Sequence, residues 1–130
     1  MSYKEWKVSS TLIEPVELAG EVVDLKAVII FFDSQGRKHG KRMHVDTKSD
    51  VTVIPLSFAQ LLGLRFEVKA VVDSSEGYLS RVRVKIGEKE FDTTVFCERA
   101  GKSYILGMKT LQYFSKVEID FIDRLLRFYY

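Results

Sequence analysis

The segment Arg42-Met-His-Val-Asp-Thr-Lys-Ser-Asp-Val-Thr-Val-Ile-Pro55 carries two carboxylates, Asp46 and Asp50, in otherwise strongly apolar surroundings. Acidic residues between hydrophobic strands are costly to bury unless they are paired or put to use. One run delivers Asp46 into a small polar turn, Thr47-Lys48-Ser49-Asp50, and the chain leaves as a second apolar run, Val51-Thr-Val-Ile54. The chemistry open to such a carboxylate is proton transfer. An isolated Asp-Thr is also an ordinary turn.

The other reactive side chains are less well placed. Cys97 has no histidine near it in sequence, which fits a buried free thiol better than a nucleophile. No glycine-flanked serine elbow is present. His39 and His44 lie on either side of a turn and suit a structural or surface role better than a metal site, so neither metal nor cofactor is expected. Gly36-Arg-Lys-His-Gly-Lys-Arg-Met-His44 is basic enough to touch phosphates, but it lacks interleaved aromatics and fits a solvated hairpin turn. Nucleic-acid binding is therefore not expected.

The elements that must position Asp46 are mostly strands. Arg81-Val-Arg-Val-Lys-Ile86 and Lys116-Val-Glu-Ile-Asp-Phe121 alternate with period two, placing Val82, Val84 and Ile86, and likewise Val117, Ile119 and Phe121, on one face each. Residues 25–32 form a continuous β-branched apolar run, which predicts a strand buried on both faces. Residues 51–54, 91–96 and 125–129 are further strand candidates. Asp33-Ser-Gln-Gly36, Gly87-Glu-Lys89 and Ile122-Asp-Arg-Leu125 read as turns, and Asp73-Ser-Ser-Glu-Gly77 as a flexible tip between strands 68–72 and 78–86. Pro55-Leu-Ser-Phe-Ala-Gln-Leu-Leu-Gly63 has proline near its first turn and glycine past its end, the asymmetry of a short helix. Gly107-Met-Lys-Thr-Leu-Gln-Tyr-Phe114 predicts one or two more helical turns.

Composition narrows the class. A chain of 130 residues, 46% hydrophobic and 29% charged, has the material for one core and suits one compact domain. With 20 basic residues against 18 acidic ones, the net charge of +2 is too balanced to mark a nucleic-acid binder or a polybasic membrane anchor. One cysteine excludes an internal disulfide and a multi-cysteine zinc site. The apolar runs are far shorter than the ~20 residues of a membrane span. No signal peptide is expected from the polar opening Met-Ser-Tyr-Lys-Glu-Trp, so the expectation is a cytoplasmic domain, with Trp6 and the other aromatics as core and interface material.

Two motifs in order carry a resemblance. Val45-Asp46-Thr47, then Ser49-Asp50 and an apolar strand, resembles the active-site turn of retropepsin-like aspartic proteases: hydrophobic residue, Asp-Thr-Gly, Ala or Ser, Asp. About 60 residues later, Tyr104-Ile-Leu-Gly107, a helix-like segment and Val117-Glu-Ile-Asp-Phe121 resemble that family's second signature. The hairpin ending near Gly77-Tyr78 is similar to its substrate-covering flap. The resemblance divides the chain into an N-terminal extension or strand, 1–25, and a retropepsin-like domain, 26–130.

The resemblance implies a mainly β fold, a small closed barrel of the acid-protease type with one or two short helices and a flap hairpin. It implies a homodimer, because the chain holds one Asp-Thr turn of the right kind and the second Asp46 must come from a second copy. Asp46 would be catalytic: the two Asp46 carboxylates of the dimer would share one proton and act as base and acid together on the water that hydrolyses an extended polypeptide. Thr47, Lys48, Ser49 and Asp50 would form the active-site turn, with Thr47 hydroxyls locking the two turns. Ser75, Glu76, Gly77 and Tyr78 would belong to the flap and meet substrate. Leu125-Leu-Arg-Phe-Tyr-Tyr130 would join the dimer interface or serve as an ordinary strand.

Two departures bear on activity. Lys48 stands where the family has glycine, a residue that permits a tight turn and close substrate approach. A unit charge ~6 Å from the dyad at an effective dielectric of ~20 is worth roughly 2–3 kcal/mol, enough to draw the shared proton away; pointing outward, it is screened. The alternative is thus a catalytically inactive domain that binds peptides or dimerises. Met108-Lys109 also replaces the usual Arg followed by Asp or Asn, leaving Lys109 as the candidate ion partner of Asp50.

Overall fold

The computed structural model describes residues 8–12, 14–18 and 20–130, with side chains described from Leu25 onward. Trp6 lies outside the described residues. The elements in chain order are β1 (Val8–Leu12), β2 (Glu14–Leu18), β3 (Gly20–Asp24), β4 (Lys26–Phe32), β5 (Lys38–Val45) and β6 (Thr52–Pro55). Then follow α1 (Leu56–Leu62), β7 (Val68–Val72), β8 (Ser75–Ile86), β9 (Lys89–Glu98), β10 (Ile105–Leu106), α2 (Met108–Leu111), β11 (Lys116–Asp120) and β12 (Leu125–Tyr129).

The main sheet runs β4-β5-β10-β6-β9-β8-β7, and an additional β4–β8 pairing returns it on itself. Its interior is filled by Ile29, Phe31, Met43, Ile54, Val84, Val95 and Leu106, all fully buried. β8 obeys its alternation closely: Val82, Val84 and Ile86 are buried, while Arg81 and Arg83 face out. The β8–β9 turn sets Gly87, at φ 61, in the first central position, which requires a left-handed residue in a II′ turn. α1 starts at Pro55 and ends at Gly63, whose φ of 71 is the left-handed cap that lets its N–H reach back to the helix.

Three predicted features differ. β4 is buried on one face only: Ala27, Ile29 and Phe31 point into the core, while Val28 is 51% exposed. A continuous apolar run does not by itself reveal which face is covered. The hairpin tip is shorter than its polar sequence suggests. Asp73 (φ 48) and Ser74 (φ 67) make the whole turn, and pairing begins at Val72↔Ser75, so Ser75, Glu76, Gly77 and Tyr78 are strand residues of β8. Two positive φ values match the I′ geometry that suits a two-residue hairpin loop. The third difference concerns the face of Val117, Ile119 and Phe121. Val117 is half-buried, but Ile119 is 40% and Phe121 66% exposed, so the outer end of that face is open among the described residues.

β12 lies between β1 and β11, with Leu126 and Phe128 buried beneath it. Both of its edges are paired within the chain, so residues 125–129 act as an interior strand and have no free edge to offer a second copy. The opposite face of β11–β12 carries cross-strand ion pairs, Arg127 with Asp120 at 2.8 Å and with Glu118 at 3.3 Å.

The β4–β5 loop is pinned by one side chain. Asp33 Oδ1 accepts the Gln35 and Arg37 backbone N–H groups at 2.9 and 2.8 Å. Its Oδ2 meets His39 Nε2 at 2.9 Å and the Arg37 Nε–H at 3.0 Å. His39 above all, with Arg37 and the two backbone amides, holds the Asp33 carboxyl well below the usual carboxylate range against the opposing cost of burial. A depressed value means that the ionised form stabilises the fold above the ordinary carboxylate range and that this contribution is lost as pH falls through it. Urea denaturation of Asp33→Asn is therefore expected to show a clear deficit at about pH 5 that shrinks at about pH 2.5. A deficit unchanged between the two would remove the assigned ionic role.

Candidate active site

β5 ends at Val45, and Asp46 continues its line by donating its N–H to the Leu106 carbonyl at 3.0 Å, beside the parallel Val45↔Leu106 pairing. The chain then turns. The Lys48 N–H donates to Asp46 Oδ1 at 2.9 Å, and the Ser49 N–H reaches the Asp46 carbonyl at 3.2 Å. Asp46 Oδ2 has no hydrogen bond among the described residues. The Ser49 hydroxyl closes onto the Val51 carbonyl at 2.7 Å. A carboxylate with one oxygen fixed and one open is oriented, yet able to exchange a proton with a ligand or water.

The segment leading into α2 braces this turn from below. The Met108 N–H donates to the Ser49 carbonyl at 2.8 Å and the Lys109 N–H to the Asp50 carbonyl at 2.9 Å. The Gly107 N–H donates to Thr52 Oγ1 at 3.0 Å. From there a buried hydroxyl chain runs to Thr110 at 2.6 Å and on to Thr93 at 2.9 Å, joining β6, α2 and β9. Lys109 thus meets Asp50 through its backbone; no ion pair between the two side chains occurs among the described residues.

Asp46 opens onto a cavity of about 220 Å³ bounded by the turn, β6, β9, β10 and the β7–β8 hairpin. Lys48 and Ser49 join it from the turn, Val53, Phe96 and Ile105 from the sheet, Val72, Asp73 and Ser75 from the hairpin, and Glu98 from the end of β9. Val53, Phe96, Val72 and Ile105 belong to a small apolar cluster separate from the main core, so the cavity has its own hydrophobic floor. Lys48 is exposed, where water screens its charge.

Of the hairpin residues singled out in the sequence, only Ser75 lines this cavity. Glu76, Gly77 and Tyr78 line a second depression of about 280 Å³ with Lys69 and Arg99. Gly77 is there for contact: a Cβ would lie 2.2 Å from the Cys97 carbonyl oxygen. The Tyr78 ring packs on Phe66 at 5.1 Å between centroids. Thr47 faces a different, apolar groove of about 300 Å³, with Leu25, Val45, Met108, Leu111 and Ile119.

The remaining candidates find other roles. Cys97 is a buried free thiol, pushed up to about 12 by burial, which suppresses its nucleophilic thiolate. His39 is held by Asp33, and Lys41 lies over the Phe58 and Tyr104 rings at 4.9 and 5.1 Å. No group of three or more His, Cys, Asp or Glu is arranged to hold a metal among the described residues. Val53, Phe96, Ile105 and Glu98 were not marked by sequence, because each looks like an ordinary strand residue until β6, β9 and β10 are set side by side.

No family model matches the chain, and no curated protein matches it. Solved structures do. The chain is similar to a retropepsin-like aspartic protease from Rickettsia conorii, with a TM-score of 0.68 and 20% identity over 100% of this chain and 98% of the other. It is also similar to EIAV protease complexed with the inhibitor HBY-793, with a TM-score of 0.54 and 16% identity over 69% of this chain and 86% of the other. The fold is retropepsin-like.

Proposed function

We infer that the chain is an aspartic endopeptidase that works as a homodimer, with paired Asp46 carboxylates activating a water on an extended peptide. The observation that carries this is the open Oδ2 of Asp46 at the mouth of an apolar-floored cavity, beneath a two-stranded hairpin. Such a cavity suits the side chain of an extended strand, whose backbone the neighbouring hairpin can pair. The likeness to proteases of this fold supports the same reading.

One protomer supplies one Asp46, so the second carboxylate comes from a second copy across a two-fold axis. The apolar groove at Thr47, lined in part by the exposed Met108 and Ile119, supports a partner on that side, and Phe121 and Ile122 are further exposed apolar side chains after β11. Ile122 is 95% exposed, which a partner would relieve.

Lys48 favours a second reading, a domain that binds peptide or dimerises without cleaving, because a cation lines the same cavity as Asp46. The test is cleavage of a denatured protein between about pH 3 and pH 7 by wild type and Lys48→Gly, across a range of protomer concentrations. Both are expected to cleave, with rates within about tenfold of each other, since an exposed charge is weakly felt. Specific activity should rise with protomer concentration as dimers form. Cleavage by Lys48→Gly alone would establish the silent reading for the natural sequence.

A further inference from the structure

The walls of the Asp46 cavity are chemically divided. Val53, Val72, Phe96 and Ile105 supply the floor, while the charged groups around it are the carboxylates of Asp46, Asp73 and Glu98 against the single ammonium of Lys48. Neither the Asp73 nor the Glu98 carboxylate has a hydrogen bond or ion pair among the described residues. Glu98 is nonetheless well anchored. Its residue pairs with Gly77 on β8 and with Pro55 on β6, and its carbonyl accepts the Gly101 N–H at 3.3 Å. The side chain folds against Gly101, where a Cβ would lie 2.3 Å from Glu98 Oε1.

We propose that this cavity selects a lysine or arginine side chain of the bound peptide, with Glu98 as the main selecting group and Asp73 as its partner on the hairpin. The proposal rests on the peptide-binding role of the Asp46 cavity argued above. The match is one of shape and charge together. A long basic side chain lays its methylenes on the apolar floor and keeps its cationic end at the acidic rim. A neutral apolar side chain fills the same floor but covers unpaired carboxylates without compensating them. An acidic side chain adds repulsion, the element that turns affinity into discrimination. Asp46 itself is held by the Lys48 N–H and faces the reacting centre, so the two carboxylates free to select are those of Glu98 and Asp73.

The test uses a set of peptides identical except at one position, which carries lysine, norleucine or glutamate, moved along the sequence one residue at a time. Binding is read by fluorescence anisotropy on Asp46→Asn protein and cleavage is read on protein with Asp46 intact, both at pH 6. At one position the lysine peptide is expected to bind about tenfold or more tightly than the norleucine peptide. Glu98→Gln should reduce that preference to about threefold or less, and Glu98→Lys should move it toward the glutamate peptide. Circular dichroism of both variants confirms that the fold is retained. No lysine preference at any position, or one that survives both substitutions, overturns the proposal. Cleavage without the preference overturns it while leaving the protease reading standing. Selective binding without cleavage does the reverse.

Discussion

Replacing Asp46 with asparagine is expected to lower kcat for peptide hydrolysis by about 10³- to 10⁴-fold while leaving KM and the fold nearly unchanged. The amide keeps an oxygen in the place of Asp46 Oδ1, so it can still accept the Lys48 N–H that shapes the turn at 2.9 Å. What it loses is the ability to take a proton from water and return one to the leaving amine. The expected signature is therefore a fall in kcat with an unaltered thermal midpoint. The shared-site model adds a second readout. If each active site needs one Asp46 from each copy, an equal mixture of wild-type and Asp46→Asn protomers should retain about one quarter of the wild-type activity, the random share of fully wild-type pairs. Retention of about one half would mean that each protomer works alone. Retention of more than about a tenth of kcat by pure Asp46→Asn would shift the chemistry to another carboxylate of the same cavity, Asp73 or Glu98.

The sequence disclosed elements whose signals are local. Strict alternation placed Val82, Val84 and Ile86 inside because β8 has a covered and an open face. Pro55 and Gly63 bounded α1 because each satisfies a local backbone requirement at a helix end. The Asp46 turn was visible because Val45-Asp46-Thr47, Ser49-Asp50 and the apolar run after them are contiguous in sequence. Features that depend on what a strand meets were not legible. The run through Val28 reads the same whether one face or both are covered. Alternation put Val117, Ile119 and Phe121 on one face without showing that Ile119 and Phe121 stay exposed. The cavity floor joins Val53, Phe96 and Ile105, which touch only after β6 pairs with β9 and β10. The hydroxyls of Thr52, Thr93 and Thr110 likewise come from three distant segments. Asp33 was visible as a turn residue, but its hold on His39 depends on the hairpin register.

Gly107→Ala should be the most damaging small change near the site, and its cause is contact rather than backbone angle. Gly107 has φ −101, which any residue adopts. The added methyl would sit 2.3 Å from the Val51 carbonyl oxygen and 2.9 Å from that of Ser49. Both obstacles are backbone of the Asp46 turn, so neither can swing aside as a side chain would. Relief requires the turn and the start of α2 to separate, which stretches the Met108–Ser49 and Lys109–Asp50 hydrogen bonds and the Gly107–Thr52 bond together. Overpacking of this kind costs about 1–3 kcal/mol, and a 1 Å displacement of a catalytic group costs about 10²-fold in rate. The expected result is a lower thermal midpoint with a fall in kcat larger than the loss of folded protein explains. Gly40→Ala, where an added Cβ meets nothing within 4 Å, serves as the matched control and should change neither. A Gly107→Ala protein that is destabilised but cleaves at the wild-type rate per folded molecule would separate the brace from the positioning of Asp46. A fall in kcat per folded molecule would locate the control of Asp46 geometry beneath the turn, in the contact between Gly107 and Val51.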